Sequence, residues 1–395
     1  MTTTRGPLNA FLDYPESSVP SAPNGALAGL RLAVKDMYDI AGYPTGGGNP
    51  QKEAESGIAE TTAPAIQVLL DAGASFLGKT QTEELTFSII GMNAHFPAPV
   101  NPRARERVTG GSSSGSAAAV AGGLADIGIG SDTNGSIRAP ASFCGLLGLR
   151  TTFGRISMEG AMPLAPSFDT LGWFARDPLV YDKVAELLLG ADTHGDELSR
   201  PVRISELEGY LFGEAERAAY GDMLEKVGAH FDGIMGFLAL PGAPEELFDA
   251  FKQIQAYEAW QTHRAFLSSK ERNLGPGVKE RLDYARSLTN ETVEEARSRR
   301  QRFQEEFAAL FDPKTIMVTP SQPSAAPLKM STQAELQSYR DLSLTMNSIA
   351  GLLGWPQISI PLGEVHGAPF GISLLGPAGS DRQLIHLASK ILSGT

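Results

Sequence analysis

Ser136 stands in "GSDTNGSIRAP" (residues 130–140), directly after a short apolar run. A serine hydroxyl on such a turn can attack a carbonyl carbon if a neighbour accepts its proton, although the same residues also suit a polar turn closing a strand. A loop that leads into a helix aims successive backbone N–H groups outward, so the amides of Thr133, Asn134, Gly135 and Ser136 are candidates for holding an oxyanion. A second stretch, "TGGSSSGSAAAVAG" (109–122), offers Ser112, Ser113 and Ser114 at the mouth of a small-residue helix, where they could also simply cap it. Residues 111–115 match G-x-S-x-G, but that elbow follows a strand, and the preceding "NPRARERV" is polar and turn-rich. No G-K-[ST] follows the glycines, which removes the phosphate-loop reading. Lys35 ends the apolar run "LRLAVK". None of His95, His194, His230, His263, His366 or His386 falls in a nucleophile motif, and no lysine lies three residues after a serine as S-x-x-K chemistry requires.

Four other groups invite chemistry and have plainer readings. Lys79 in "GKTQTEE" suits a solvated or sheet-edge position, and the adjacent Glu83 and Glu84 a solvated helix start. Cys144 in "ASFCGLLG" reads as a small core residue. Asp132 and Arg138 read as an ion pair bracing the loop of Ser136.

These groups must be positioned by a large fold. The chain has 395 residues, 42% of them hydrophobic and 20% charged, enough for a sizeable core. A net charge of −12 without a dense basic cluster argues against nucleic acid as a partner. One cysteine excludes an internal disulfide and suits a reducing compartment. No signal-peptide core or membrane-length apolar run is visible, so the expectation is a cytoplasmic protein. "LRLAVK", "TTAPAIQVLLDAG" and "ASFLGK" read as a strand, helix and strand in sequence, with Pro64 in the helix's first turn and Gly73 at its end. "GSAAAVAGGLA" reads as a core helix, "ADIGIGSD" as a strand, and "TIMVTP", "PQISIPL" and "FGISLLG" as further strands before a last helix. Residues 193–311 are richer in charge and helical spacing, and read as a helical excursion. The fold class is α/β, a mixed, largely parallel central sheet covered by helices on both faces, with the excursion over the active-site edge. Lys35 and Ser136 then both fall at strand ends, where loops of such sheets build sites.

The run "GGSSSGSAAAVAGGLADIGIGSDTNGSIRAPASFCGLLGLR" closely resembles the signature region of the amidase signature family. "LAVKDMYDIAG" resembles the family's lysine segment and "GKTQTEELTFS" its GKT segment, while "GRISMEGAMPLAPSFDTLGWFARD" and "GLLGWPQISIPLG" resemble later blocks. The resemblance covers most of residues 28–178 and 313–390, and implies one amidase signature domain over 1–395, with 193–311 as its substrate cap. It implies a Ser–cis-Ser–Lys triad of Ser136 as nucleophile, Ser112 as bridge and Lys35 as base. Ser112 is chosen over its neighbours because the 24 positions separating it from Ser136 match the family's spacing, and the Gly111–Ser112 peptide is implied to be cis.

The chemistry suits these residue types. Burial lowers a lysine's pKa toward neutrality, and a hydroxyl that both accepts and donates can relay a proton to an amine out of direct reach. Ser136 would attack an amide carbon, release ammonia and be freed by water, with no metal or cofactor. Two departures from the family pattern are Asn134, where the family has glycine, and "RTT" (150–152), where it has K-P-T. The blocks look most like short plant and bacterial amidases of the indole-3-acetamide hydrolase type. They imply a small carboxylic-acid primary amide as substrate, aryl acids included, no nucleic-acid or membrane partner, and a homodimer by analogy. Two alternatives are a urea-type or dicarboxylic-amide hydrolase, which a basic residue in the acyl pocket would favour, and a scaffold homologue without turnover.

Overall fold

Residues 4–394 are described in a computed structural model. Twelve strands form one sheet: β1 Thr4–Arg5, β2 Phe11–Leu12, β3 Arg31–Lys35, β4 Ser75–Thr80, β5 Ile127–Asp132, β6 Leu147–Arg150, β7 Thr170–Ala175, β8 Arg200–Arg203, β9 Gly236–Phe237, β10 Thr315–Pro320, β11 Gln357–Val365 and β12 Ala368–Leu375. Their order across the sheet is β1-β2-β4-β3-β5-β7-β6-β11-β12-β10-β8-β9.

The sheet is mixed, but it is not largely parallel. Only β3–β4, β3–β5, β8–β10 and β8–β9 run parallel; the other seven pairings are antiparallel. The βαβ unit around "LRLAVK" is real, and its helix, Pro64–Asp71, buries Ala65, Ile66, Leu69 and Leu70. Beyond it the chain turns back on itself. Between β11 and β12 only His366 and Gly367 intervene, both at positive φ (52° and 69°), as a tight hairpin turn requires.

Successive strand residues feed opposite cores, as the period of two demands. Leu32 and Val34 join a cluster that includes Ile66, Leu69, Tyr181, Val184, Leu384 and Ala388, from helices Pro64–Asp71, Pro178–Leu189 and Asp381–Ser393. Ala33 joins Ala117–Val120, Ile137, Ala141 and Cys144, from helices Ser114–Ala121 and Arg138–Cys144. Helices therefore cover both faces. Helix Ser114–Ala121 has no polar side, and a Cβ on its Gly115 would stand 2.4 Å from the Ala10 carbonyl oxygen, so only glycine admits that approach.

The 193–311 excursion is not purely helical. It supplies β8 and β9 to the sheet as well as helices Glu214–Gly228, Pro244–Ser269, Val278–Ser287 and Asn290–Leu310. The pairing of β8 on β10 uses backbone groups, which the charge-rich "RPVR" does not advertise. Phe251, Phe303 and Phe307 tie the excursion to Ile349 and Leu352 of helix Gln333–Leu353. Among the described residues no helix is long and apolar enough to cross a membrane.

Candidate active site

Lys35 ends β3 with no solvent exposure. Its Nζ donates to Ser112 Oγ at 2.7 Å and to Ser131 Oγ at 2.8 Å. Burial pushes the amine down to about 7, against the opposing pull of the carboxylates of Asp169, Asp132 and Glu83. An uncharged amine is thereby accessible near neutrality, which an exposed lysine does not offer.

The Gly111–Ser112 peptide is cis. The loop carrying it is held from one side: Thr82 Oγ1 and the Glu83 N–H donate to the Ser112 carbonyl (2.9 and 3.2 Å), and the Gly111 N–H donates to the Ile89 carbonyl (2.8 Å). Ser113, the centre of the G-x-S-x-G match, is a clamp instead. Its hydroxyl accepts from the Ser131 N–H and donates to the Ser131 carbonyl, both at 3.3 Å.

Ser136 follows β5 and precedes helix Arg138–Cys144, with 7% of its surface exposed. Asp132 organises this loop. Its carboxylate accepts from the N–H groups of Gly135, Ile137 and Arg138 (2.8, 3.1 and 3.4 Å) and from the guanidinium groups of Arg138 and Arg150 (2.8 and 3.3 Å). Burial alone would raise its pKa, but the charges of Arg138 and Arg150 outweigh that and hold the carboxylate below its ordinary range. Arg150 also donates to the carbonyls of Asp132 and Thr133 (2.7 and 3.0 Å). Because N–H and C=O point oppositely across a trans peptide, this turns the N–H groups of Thr133 and Asn134 away from Arg150.

One of the four expected oxyanion amides is thus already engaged: the Gly135 N–H belongs to Asp132. Thr133, Asn134 and Ser136 remain. Gly135 takes the left-handed conformation (φ 103°). A Cβ at Gly135 would meet Ile89 Cδ1 at 2.8 Å and Asn347 Cγ at 3.0 Å. Asn134 instead ties the loop to helix Gln333–Leu353 by donating to the Leu344 carbonyl at 3.1 Å.

Three residues near Lys35 were missed or misread from sequence. Ser131, its second acceptor, is on the strand rather than a loop, and only the parallel β3–β5 pairing brings it to Lys35. Asp169 is buried, 5% exposed, and pushed up to about 6 by burial, against hydrogen bonds from Thr133 Oγ1 and the N–H groups of Leu164 and Ala165. Glu83 is not solvated: it is 3% exposed and pushed up to about 7 by burial. Glu84 is 1% exposed, and it accepts from Asn49 and the Gly275 N–H and bonds His95. Lys79 is likewise buried rather than solvated, paired with Asp36 at 3.2 Å and donating to the carbonyls of Tyr38 and Pro44. Cys144 is core, with burial raising its thiol pKa.

Comparison with known proteins places the chain in a group. The family model "Amidase" matches residues 11–214 and 234–385. Amidase 1 of Arabidopsis thaliana is 35% identical, over 98% of this chain and 99% of that protein. 2-Amino-5-chloromuconic acid deaminase of Comamonas testosteroni is 30% identical, over 93% and 82%. A solved structure described as the crystal structure of an amidase superposes with a TM-score of 0.83 at 31% identity, covering 94% of this chain and 85% of that one.

Proposed function

The chain belongs to the amidase family, and we propose that it hydrolyses the primary amide of a small carboxylic acid to the acid and ammonia, through an acyl-enzyme on Ser136. The observation that carries this reading is the 2.7 Å contact between the buried Lys35 amine and the Ser112 hydroxyl. In its neutral form Lys35 accepts the Ser112 proton while Ser112 takes that of Ser136. Ser136 Oγ attacks the amide carbon, and the N–H groups of Thr133, Asn134 and Ser136 receive the developing negative charge. Collapse of the tetrahedral species breaks the C–N bond and expels ammonia, which takes up the relayed proton through Ser112. Water then repeats the cycle on the ester and frees the acid.

The acyl group is the finer question. Phe168 and Trp173 are fully buried core residues, packed on Phe251 and Tyr181, so neither supports an aryl pocket. The ring faces of Trp260 and Tyr284 carry Arg286 and Lys252. The dicarboxylic alternative gains support from a relative whose name gives a substrate that is itself an acid. We read helix Val278–Ser287 as part of a cap over the acyl site, since Val278 and Arg281 line a cavity with Glu83, whose N–H holds the Ser112 carbonyl. The test is ammonia release from a panel of aryl, alkyl, ω-carboxylate and urea-type amides, indole-3-acetamide included, with Ser136→Ala as blank. Ser136-dependent release is the expected result; release that survives Ser136→Ala would refute the assignment, and release from no member would favour a scaffold.

A further inference from the structure

A cavity of about 340 Å³ lies against the 83–90 segment. Glu83, Ser88 and Ile90 form one wall; Arg281, from helix Val278–Ser287, and Leu336 and Arg340, from helix Gln333–Leu353, form the opposite side. The first wall is shared with the serine loops. The Glu83 N–H and the Ile89 carbonyl hold Ser112 and Gly111, and Ile89 Cδ1 packs at Gly135, the residue before the nucleophile.

Both arginines lack a committed anion. Among the described residues no side-chain hydrogen bond or ion pair engages the Arg281 guanidinium; its Nε is buried without a partner, and the side chain lies over the Phe87 ring at 5.4 Å. Arg340 reaches only Asp341, at a long 3.4 Å, and that carboxylate is 53% exposed; the Arg340 Nε is also buried without a partner. Burial, and then the positive charge of Arg340, push Arg281 down to about 9, against the weaker opposing pull of Glu83, Glu280 and Glu84.

The nearby acids do not supply the missing charge. Glu84 is occupied by Asn49, His95 and Gly275. Glu280 accepts from the Gly277 N–H. Glu83 feels the Arg281 charge but forms no hydrogen bond or ion pair with it, and burial outweighs that pull and pushes its carboxyl up to about 7. Two partly buried guanidinium groups facing one cavity, one without an ion pair and the other with only the exposed Asp341 beside it, are costly. Their planar fork suits a carboxylate in two-pronged contact, which a shared anion would relieve.

We propose that this cavity binds a carboxylate carried by the substrate, held by Arg281 and Arg340, so that the preferred substrates are half-amides of dicarboxylic acids. This deepens, and rests on, the amidase reading above.

The test compares kcat/KM for malonamate, succinamate, glutaramate and adipamate with chain-matched neutral amides, in wild type, Arg281→Gln, Arg340→Gln and Arg281→Lys. At least one half-amide should be favoured tenfold or more over its neutral counterpart. Either Gln variant should cut that ratio at least tenfold, and Arg281→Lys should recover part of it. Ser136-dependent hydrolysis with no preference for the anion at any length, or a preference untouched by both Gln variants, would overturn the proposal while leaving the amidase reading intact. If no amide is hydrolysed the amidase reading itself fails. The cavity is therefore also tested by calorimetry on Ser136→Ala protein: succinamate or glutaramate should bind, and at least tenfold more weakly after Arg281→Gln in a variant whose melting temperature is unchanged. Equal binding of butanamide would count against the site. Should Arg281→Gln fail to fold, the same readings on Arg340→Gln and Arg281→Lys decide.

Discussion

Lys35 Nζ lies 2.7 Å from Ser112 Oγ, and no part of Lys35 reaches solvent. An ammonium so placed has lost its hydration and gained two hydroxyl acceptors, Ser112 and Ser131. The outcome is an amine poised near neutrality, as a general base should be.

Removing that amine should abolish proton relay without harming the fold. Lys35→Met keeps the bulk of the side chain and removes a buried charge, so kcat should fall by about 10²–10⁴-fold, with the melting temperature held or raised. Ser112→Ala should match the kinetic loss. Ser131→Ala removes only the second acceptor and should cost about tenfold. Steady-state ammonia release and thermal melts check all three.

The rate should rise with pH through about 7, because the neutral amine is the active form and Lys35 loses its proton there. Asp169 and Glu83 both favour the protonated amine electrostatically. Replacing either by its amide should move the rising limb of kcat/KM to lower pH, Asp169→Asn more than Glu83→Gln. A limb that moves upward would contradict this sign.

Asp132 holds the loop of Ser136 between two buried arginines, Arg138 at 2.8 Å and Arg150 at 3.3 Å. Asp132→Asn would leave two uncompensated buried cations and should cost about 3–5 kcal/mol, read as a shifted urea midpoint.

Gly135 has φ 103° and no room for a Cβ. Gly135→Ala should cost about 1–3 kcal/mol of backbone strain and, by displacing Ser136, lower kcat about 10²-fold. Kinetics beside a urea melt separate the two effects.

The central strands were legible because β3, β5 and β10 are short apolar runs buried along nearly their whole length. Strand direction was not. Apolarity carries no polarity, and a single βαβ unit at the start of the sheet suggested a parallel arrangement that the β11–β12 hairpin and the antiparallel β5–β7 pairing do not follow. Lys35, Ser112 and Ser136 stood out as motif residues. Lys79, Glu83 and Glu84 were misread because a charge in sequence looks solvated unless its partner is known, and the partners of Lys79 are carbonyls of Tyr38 and Pro44, far away in the chain. Arg281 and Arg340 were hidden for the same reason, each on a charge-rich helical face that only the fold turns into the cavity beside Glu83.

The central claim is that Ser136 is the nucleophile, and labelling with a fluorophosphonate followed by peptide mass mapping tests it most directly. A single adduct on Ser136, slowed in Lys35→Met and Ser112→Ala protein and lost in Ser136→Ala, is the predicted result. An adduct on Ser112, Ser113 or any other residue, or none on the wild-type protein under conditions of amide turnover, would contradict it.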